Sequence, residues 1–259
     1  MSSDLRRTAR RRRALVGLIA ATCSVASSAC AGGAPLLHPA HVLRPGEVSI
    51  GAGVSGQFKN LTNPTAKNGD TSSALLDSVA VAPGVAPWVS GRVGIVHDFE
   101  GGITYTGREI RIDGRHAWNF GPFALSAGLG ATALVPKPLP GDSGSVYGGG
   151  ADLPVIFGWS STADLYSIWF GPRAGFEFLK GQVLESQFEP SGSATTFAPV
   201  SGHHIYVGGL VGFRVGFRYF HAALELSVAY HTSGGTIGPD DVTARDVSIA
   251  PAAGLVLSF

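Results

Sequence analysis

The stretch 246–259, DVSIAPAAGLVLSF, lies at the end of the chain and decides its predicted fold. Mostly larger apolar residues alternate there with small ones, and the chain ends in Phe. The first set is Val247, Ile249, Ala253, Leu255, Leu257 and Phe259; the second is Ser248, Ala250, Ala252, Gly254 and Ser258, with Pro251 and Val256 as exceptions. A period of two is that of a strand with two different faces. We therefore predict a terminal strand with one apolar face.

Nine further stretches upstream have the composition and alternation of strands. They are 47–58, 88–96, 102–106, 109–118, 123–135, 149–159, 166–179, 204–218 and 221–231. Short and long connections alternate along the chain. The short ones are at 97–100, 119–122, 160–165 and 219–220, and the long polar ones are at 59–78, 136–145, 180–202 and 232–245. The turn at 107–108 is an exception, because it is short where a long connection is expected. We find no helical period outside the N-terminal leader. The prediction is an all-β protein: a closed antiparallel up-and-down β-barrel of about ten strands, with eight to twelve as the range.

Phe259, with apolar residues two and four places before it, resembles the C-terminal signature strand of bacterial outer-membrane β-barrels. The resemblance is to small barrels of the general OmpA/OmpX-like class and implies transmembrane strands in the Gram-negative outer membrane. It also implies lipid contact, and Phe259 as the insertion signal for the β-barrel assembly machinery. Aromatic residues gather near the short connections, where we expect a periplasmic girdle: Phe99, Trp118, Phe120, Phe123, Trp159, Tyr166, Phe217, Tyr219, Phe220 and Phe259.

The first 29 residues have the organisation of a cleaved export signal. Six arginines precede the short apolar run 14–26, which is too short to span a membrane. Cys30 follows Ser27-Ser28-Ala29, similar to a lipoprotein cleavage box, so we expect Cys30 to carry a lipid; the alternative is cleavage by ordinary signal peptidase at an A-x-A site. We expect residues 30–45 to form a linker, with His38 and His41 as linker residues, and residues 46–259 to form the barrel.

Charged residues are only 14 % of the chain, and those in the barrel share one strand face. We predict that this face lines the lumen and carries an arginine–carboxylate network. Its members are Arg92, Arg111, Asp113, Arg115, Asp152, Arg173, Glu177, Arg214 and Glu225. A two-residue turn at 219–220 would place Arg214 opposite Glu225, and pairing of Trp159 with Tyr166 would place Asp152 opposite Arg173.

Composition and motifs narrow the possible functions. The chain after the leader has 13 basic and 17 acidic residues, a net charge of −4, which disfavours nucleic acid as a partner. We find no Gly-x-Ser-x-Gly elbow and no dinucleotide or phosphate loop, and we predict no catalytic residue, metal site or cofactor. The leading hypothesis is a structural or surface-interaction barrel with a charge-plugged lumen. The alternatives are a narrow porin-like channel, a lipid-modifying enzyme and a soluble lipocalin-like binder, whose apolar face would point inward.

Overall fold

The computed structural model describes residues 32–59, 71–138, 144–161, 163–187, 196–217 and 219–259. The predicted signal peptide and Cys30 lie outside these ranges. The described residues form one closed barrel in which each strand pairs antiparallel with its neighbours in sequence and the last strand pairs with the first. This confirms the predicted fold class.

The regular structure of the described residues consists of ten strands, one α-helix and a short 3₁₀ helix at Glu185–Gln187. The strands are β1 (Val48–Lys59), β2 (Gly84–Val96), β3 (Phe99–Tyr105), β4 (Glu109–Phe120), β5 (Phe123–Pro138), β6 (Gly144–Ser160), β7 (Tyr166–Leu184), β8 (Phe197–Phe217), β9 (Phe220–Ile237) and β10 (Asp240–Ser258); the helix is α1 (Thr71–Ala80). Phe259 and the β2–β3, β4–β5, β6–β7 and β8–β9 connections lie at one end, called here the short-turn end. The opposite, long-strand end carries α1.

The apolar face of the strands points outward. On β9, Leu224 is 58 % exposed and Leu226 44 % exposed, whereas the intervening Glu225 is 5 % exposed. The outward residues of β7 and β8 are apolar from Tyr166 to Phe178 and from Ile205 to Phe217, and polar ones such as Lys180 and His203 begin just beyond. An exposed apolar band with a polar interior is the inverse of a soluble barrel. The chain is a transmembrane β-barrel of the bacterial outer-membrane type, and its location is the cell outer membrane.

Strands β7 to β10 are much longer than a bilayer requires. They have 19, 21, 18 and 19 residues, against about 9–11 for a membrane-spanning strand. The predicted loops at 136–145, 180–202 and 232–245 were therefore too long, because strand structure continues into each of them. Beyond the membrane these strands still have an inward and an outward face, because the inward Val200, Ile237 and Val242 form an apolar cluster with α1.

Helix α1 lies inside the long-strand end and was not predicted. Its Leu76 and Ala80 are buried against the inward residues of the protruding strands, and Asp77 forms an ion pair with Lys59 of β1. The sequence prediction placed this stretch in a polar loop because the helix is short and flanked by polar residues. Within the described ranges, no helix is long and apolar enough to cross a bilayer.

Both predicted strand registers were wrong by two residues. Phe217 pairs with Phe220, so Gly212, not Arg214, stands opposite Glu225. Trp159 pairs with Ile168, which places Asp152 opposite Gly175. The cause is the position of each turn, since a turn moved by one residue moves every pair on the two strands by two.

Candidate functional site in the lumen

The lumen is occupied by the chain itself. Residues 32–45, called here the lumen segment, run inside the barrel from the level of Ser55 to the short-turn end. Ser55 donates a hydrogen bond to the carbonyl of Gly33, at 2.9 Å. At the other end the amide of Gly46 donates to the carbonyl of Gly94, at 2.8 Å, and the chain turns into β1. Leu37 and Ala40 are buried. These residues were expected to form a linker leading up to the barrel, and the structure places them within it.

Two buried carboxylates hold the backbone of the lumen segment. Glu225 accepts hydrogen bonds from the amides of Leu36 and Leu37, at 2.9 and 2.8 Å, and a third from the indole nitrogen of Trp169, at 3.1 Å. Glu100 accepts one from the amide of Leu43, at 2.9 Å. An irregular segment cannot pair its own amides, so buried amides need such acceptors. Glu225 therefore binds backbone, and it has no role as the partner of Arg214.

Seven charged side chains of alternating sign form one continuous chain across the lumen. Their order is Arg115, Glu100, Arg92, Asp113, Arg111, Asp152 and Arg173, and successive members are 2.6–2.8 Å apart. Each carboxylate contacts two guanidinium groups, which is the compensation that enclosed charges need. The Asp152–Arg173 contact exists although the two residues are not register partners, because both side chains reach diagonally. Arg173 also donates to the carbonyl of Ala34, which ties the charge chain to the lumen segment.

The predicted network residues all face the lumen, but they do not form a single network. Arg214 contacts Asp164, a residue of the β6–β7 connection, at 3.0 Å. Glu177 contacts Arg108 at 2.6 Å, separately from the seven-residue chain. The prediction missed Glu100 and Arg108 because it placed both residues in turns. The alternation of β3 offered a signal for Glu100. Phe99 points outward, so the next residue, Glu100, points into the lumen.

Both histidines assigned to the linker belong to the lumen segment, and barrel-wall side chains surround one of them. His38 is 4 % exposed, and its Nδ1 atom lies 2.5 Å from a guanidinium nitrogen of Arg115 and 3.7 Å from Glu100. The Nδ1 atom of His41 lies 3.1 Å from the hydroxyl of Ser160. Within the described ranges, no cluster of His, Cys, Asp and Glu side chains has the arrangement of a metal site. The two histidines thus contact the barrel wall individually.

A second polar group lies nearer the long-strand end. Ser248, His231, His204 and Glu177 form a hydrogen-bonded row, with successive separations of 2.7, 2.8 and 2.9 Å. Both histidines lie on the inward faces of their strands, His204 on β8 and His231 on β9. A cavity of about 60 Å³ borders this row, with Gly33 and Ala34 of the lumen segment at its other side. This volume has room for about four water molecules.

Comparison with known proteins gives distant structural similarity. No protein-family model and no curated protein sequence matches the chain. Neisserial surface protein A is 14 % identical with a TM-score of 0.31, and the match covers 82 % of this chain and 96 % of that one. Ail, the attachment invasion locus protein of Yersinia pestis, is 10 % identical with a TM-score of 0.33, over 83 % and 99 %. The translocator domain of the autotransporter NalP from Neisseria meningitidis is 11 % identical with a TM-score of 0.33, over 85 % and 90 %.

Proposed function

We propose that this outer-membrane barrel is a closed anchor that presents its long-strand end at the cell surface and does not conduct solutes. The observation that carries the proposal is the occupied lumen. The lumen segment is bound through its backbone to Glu225, Glu100 and Arg173, which lie on three different strands. A solute would have to displace this segment and break buried charge-assisted hydrogen bonds, which are stronger than neutral ones.

Bulky side chains close the rest of the cross-section. Trp88 and Trp169 are fully buried inside the barrel. The seven-residue charge chain crosses the same space, and its four arginines and three carboxylates are bonded to one another and leave a net charge of only +1. Small barrels are commonly filled by their own side chains in this way.

The long-strand end supports the surface-presenting part of the proposal. Strands β7 to β10 continue well past the apolar band, and α1 packs inside this extension through Leu76. The short-turn end, which holds Phe259, corresponds to the periplasmic side of outer-membrane barrels. The extension then projects outward from the cell as a folded rim. A binding surface on this rim is already ordered, so binding does not have to offset the entropy lost when a flexible loop becomes ordered.

Planar-bilayer recording tests the closed lumen. The full chain, refolded and inserted, should show no sustained conductance. The double variant Glu100→Ala/Glu225→Ala, which removes both carboxylates that hold the lumen segment, should show transient openings under the same conditions. Steady ohmic conductance of the unmodified protein would overturn the proposal and favour the channel alternative.

A further inference from the structure

The row from Ser248 to Glu177 has the geometry of an activated nucleophile. The rings of His204 and His231 are nearly coplanar, at 11°, and they meet edge to edge, with Nε2 of His204 2.8 Å from Nδ1 of His231. One assignment of protons satisfies every contact. Ser248 donates to Nε2 of His231, Nδ1 of His231 donates to His204, and Nδ1 of His204 donates to Glu177. Serine catalysis generally uses a serine hydroxyl that is hydrogen-bonded to a base, and a third group orients that base.

The row is buried near the outer edge of the apolar band and borders a cavity. His231 and Glu177 lie on their strands next to Tyr230 and Phe178, the last residues of the apolar band on β9 and β7, and Ser248 lies between the outward Val247 and Ile249 of β10. The cavity borders Ser248 and both histidines. The amide nitrogen of Gln57 lies 3.4 Å from the hydroxyl oxygen of Ser248, so a hydrogen-bond donor stands beside the nucleophile. Such a donor can stabilise an oxyanion that forms next to the serine.

We propose that Ser248 is the nucleophile of an esterase site for short-chain carboxylic esters small enough to occupy the cavity beside it. His231 is the general base, and Gln57 is the oxyanion donor. His204 and Glu177 are positioning residues that hold His231 in the tautomer whose Nε2 atom is free to accept the proton. The cavity volume limits the acyl group to one about the size of acetyl or propionyl.

The reaction uses only these groups and water. The hydroxyl oxygen of Ser248 bonds to the ester carbonyl carbon while its proton moves to Nε2 of His231. The bond between the carbonyl carbon and the alcohol oxygen then breaks, and the alcohol leaves with the proton from His231. Water attacks the acyl-serine, giving a proton to His231, and the bond to Ser248 breaks. Ser248 takes back the proton, and the carboxylic acid is released.

Covalent labelling of the folded barrel tests the proposal. The full chain in detergent micelles is treated with a small alkyl fluorophosphonate, and the labelled serine is located by mass spectrometry. We expect label on Ser248, none in Ser248→Ala, and a labelling rate at least about a hundredfold lower in His231→Asn. The matched control is Ser233→Ala. Ser233 is equally buried in the lumen, and no hydrogen-bond partner is found for its hydroxyl among the described residues. This variant should label at the unmodified rate.

A second readout separates positioning from simple structural support. With p-nitrophenyl acetate as substrate, His204→Gln should lower kcat at least about tenfold and change KM much less, because His204 acts through His231 and makes no bond to the reacting atoms. Folding of each variant is established by the heat-dependent mobility shift of closed barrels. Labelling of Ser248 that does not depend on His231, or absence of label on Ser248 in the folded barrel, would overturn the proposal.

Discussion

Replacing Glu225 by Ala should release the middle of the lumen segment and leave its end near β1 in place. The carboxylate accepts three hydrogen bonds within the barrel, two from the amides of Leu36 and Leu37 and one from Trp169. A buried donor left without a partner costs about 1–3 kcal/mol, so three donors cost about 3–9 kcal/mol. The variant no longer buries a carboxylate, which offsets part of this cost. We therefore expect a loss near the lower limit, about 3 kcal/mol.

Amide hydrogen exchange measures this loss where it occurs. A loss of about 3 kcal/mol corresponds to exchange about a hundredfold faster, since each 1.4 kcal/mol is a factor of ten. Mass spectrometry of the folded protein should show this acceleration in peptides containing Leu36 and Leu37. Peptides containing Leu43, whose amide is held by Glu100, should change much less.

The matched control is Ser227→Ala. Ser227 lies two residues along the same inward face of β9, and its hydroxyl bonds to the carbonyl of Ala250 instead of to the lumen segment. This variant should exchange like the unmodified protein throughout residues 32–45. Unchanged exchange at Leu36 and Leu37 in Glu225→Ala would refute the role assigned to the carboxylate, and so would acceleration spread evenly over the whole barrel.

Four other variants test separate parts of the structure. Arg214→Ala and Glu225→Ala should have additive effects on the free energy of unfolding, within about 0.5 kcal/mol, because the two side chains do not pair; a larger coupling in a double-mutant cycle would restore the rejected register. Leu224→Arg, on the lipid face near mid-membrane, should cost about 2–4 kcal/mol in refolding into lipid vesicles. Leu76→Ala should loosen α1 by about 2–5 kcal/mol and make it a site of protease cleavage while the barrel keeps its heat-dependent gel shift. Deleting Phe259 should lower the yield of protein in the outer membrane; an unchanged yield would contradict its role as the insertion signal.

The faces of the strands were predictable, since they depend only on a period of two. On β9, Ala222, Leu224, Leu226, Val228 and Tyr230 are exposed and alternate with more buried residues such as Glu225, as a period of two requires. The registers were not predictable, because a tight turn can lie at 218–219 or at 219–220 with little change in turn composition. Nine of the charged lumen residues could therefore be identified from the sequence, but Glu100, Arg108 and most of the pairings could not.

The lumen segment could not be found from its own residues. Its binding uses backbone amides, which every residue except proline has, so Leu36 and Leu37 carry no visible signal. Its acceptors look like ordinary members of a charge network, as the original pairing of Glu225 with Arg214 illustrates. Helix α1, in contrast, could have been found from its own residues. Leu75, Leu76, Val79 and Ala80 have the spacing of one helical face, and that pattern was present in the sequence.

A disulfide test addresses most directly the claim that the lumen segment lies inside the barrel. A β-carbon on Gly33 would lie 2.7 Å from that of Ala250, an inward residue of β10. A disulfide needs about 3.8 Å, so the segment has to move by only about 1 Å. In a chain whose native cysteines are replaced by serine, Gly33→Cys/Ala250→Cys should crosslink in the folded barrel. The control Gly33→Cys/Ala222→Cys, with Ala222 on the lipid face, should stay reduced. Crosslinking in the first pair alone is the predicted result, and failure of the first pair to crosslink would contradict the closed lumen.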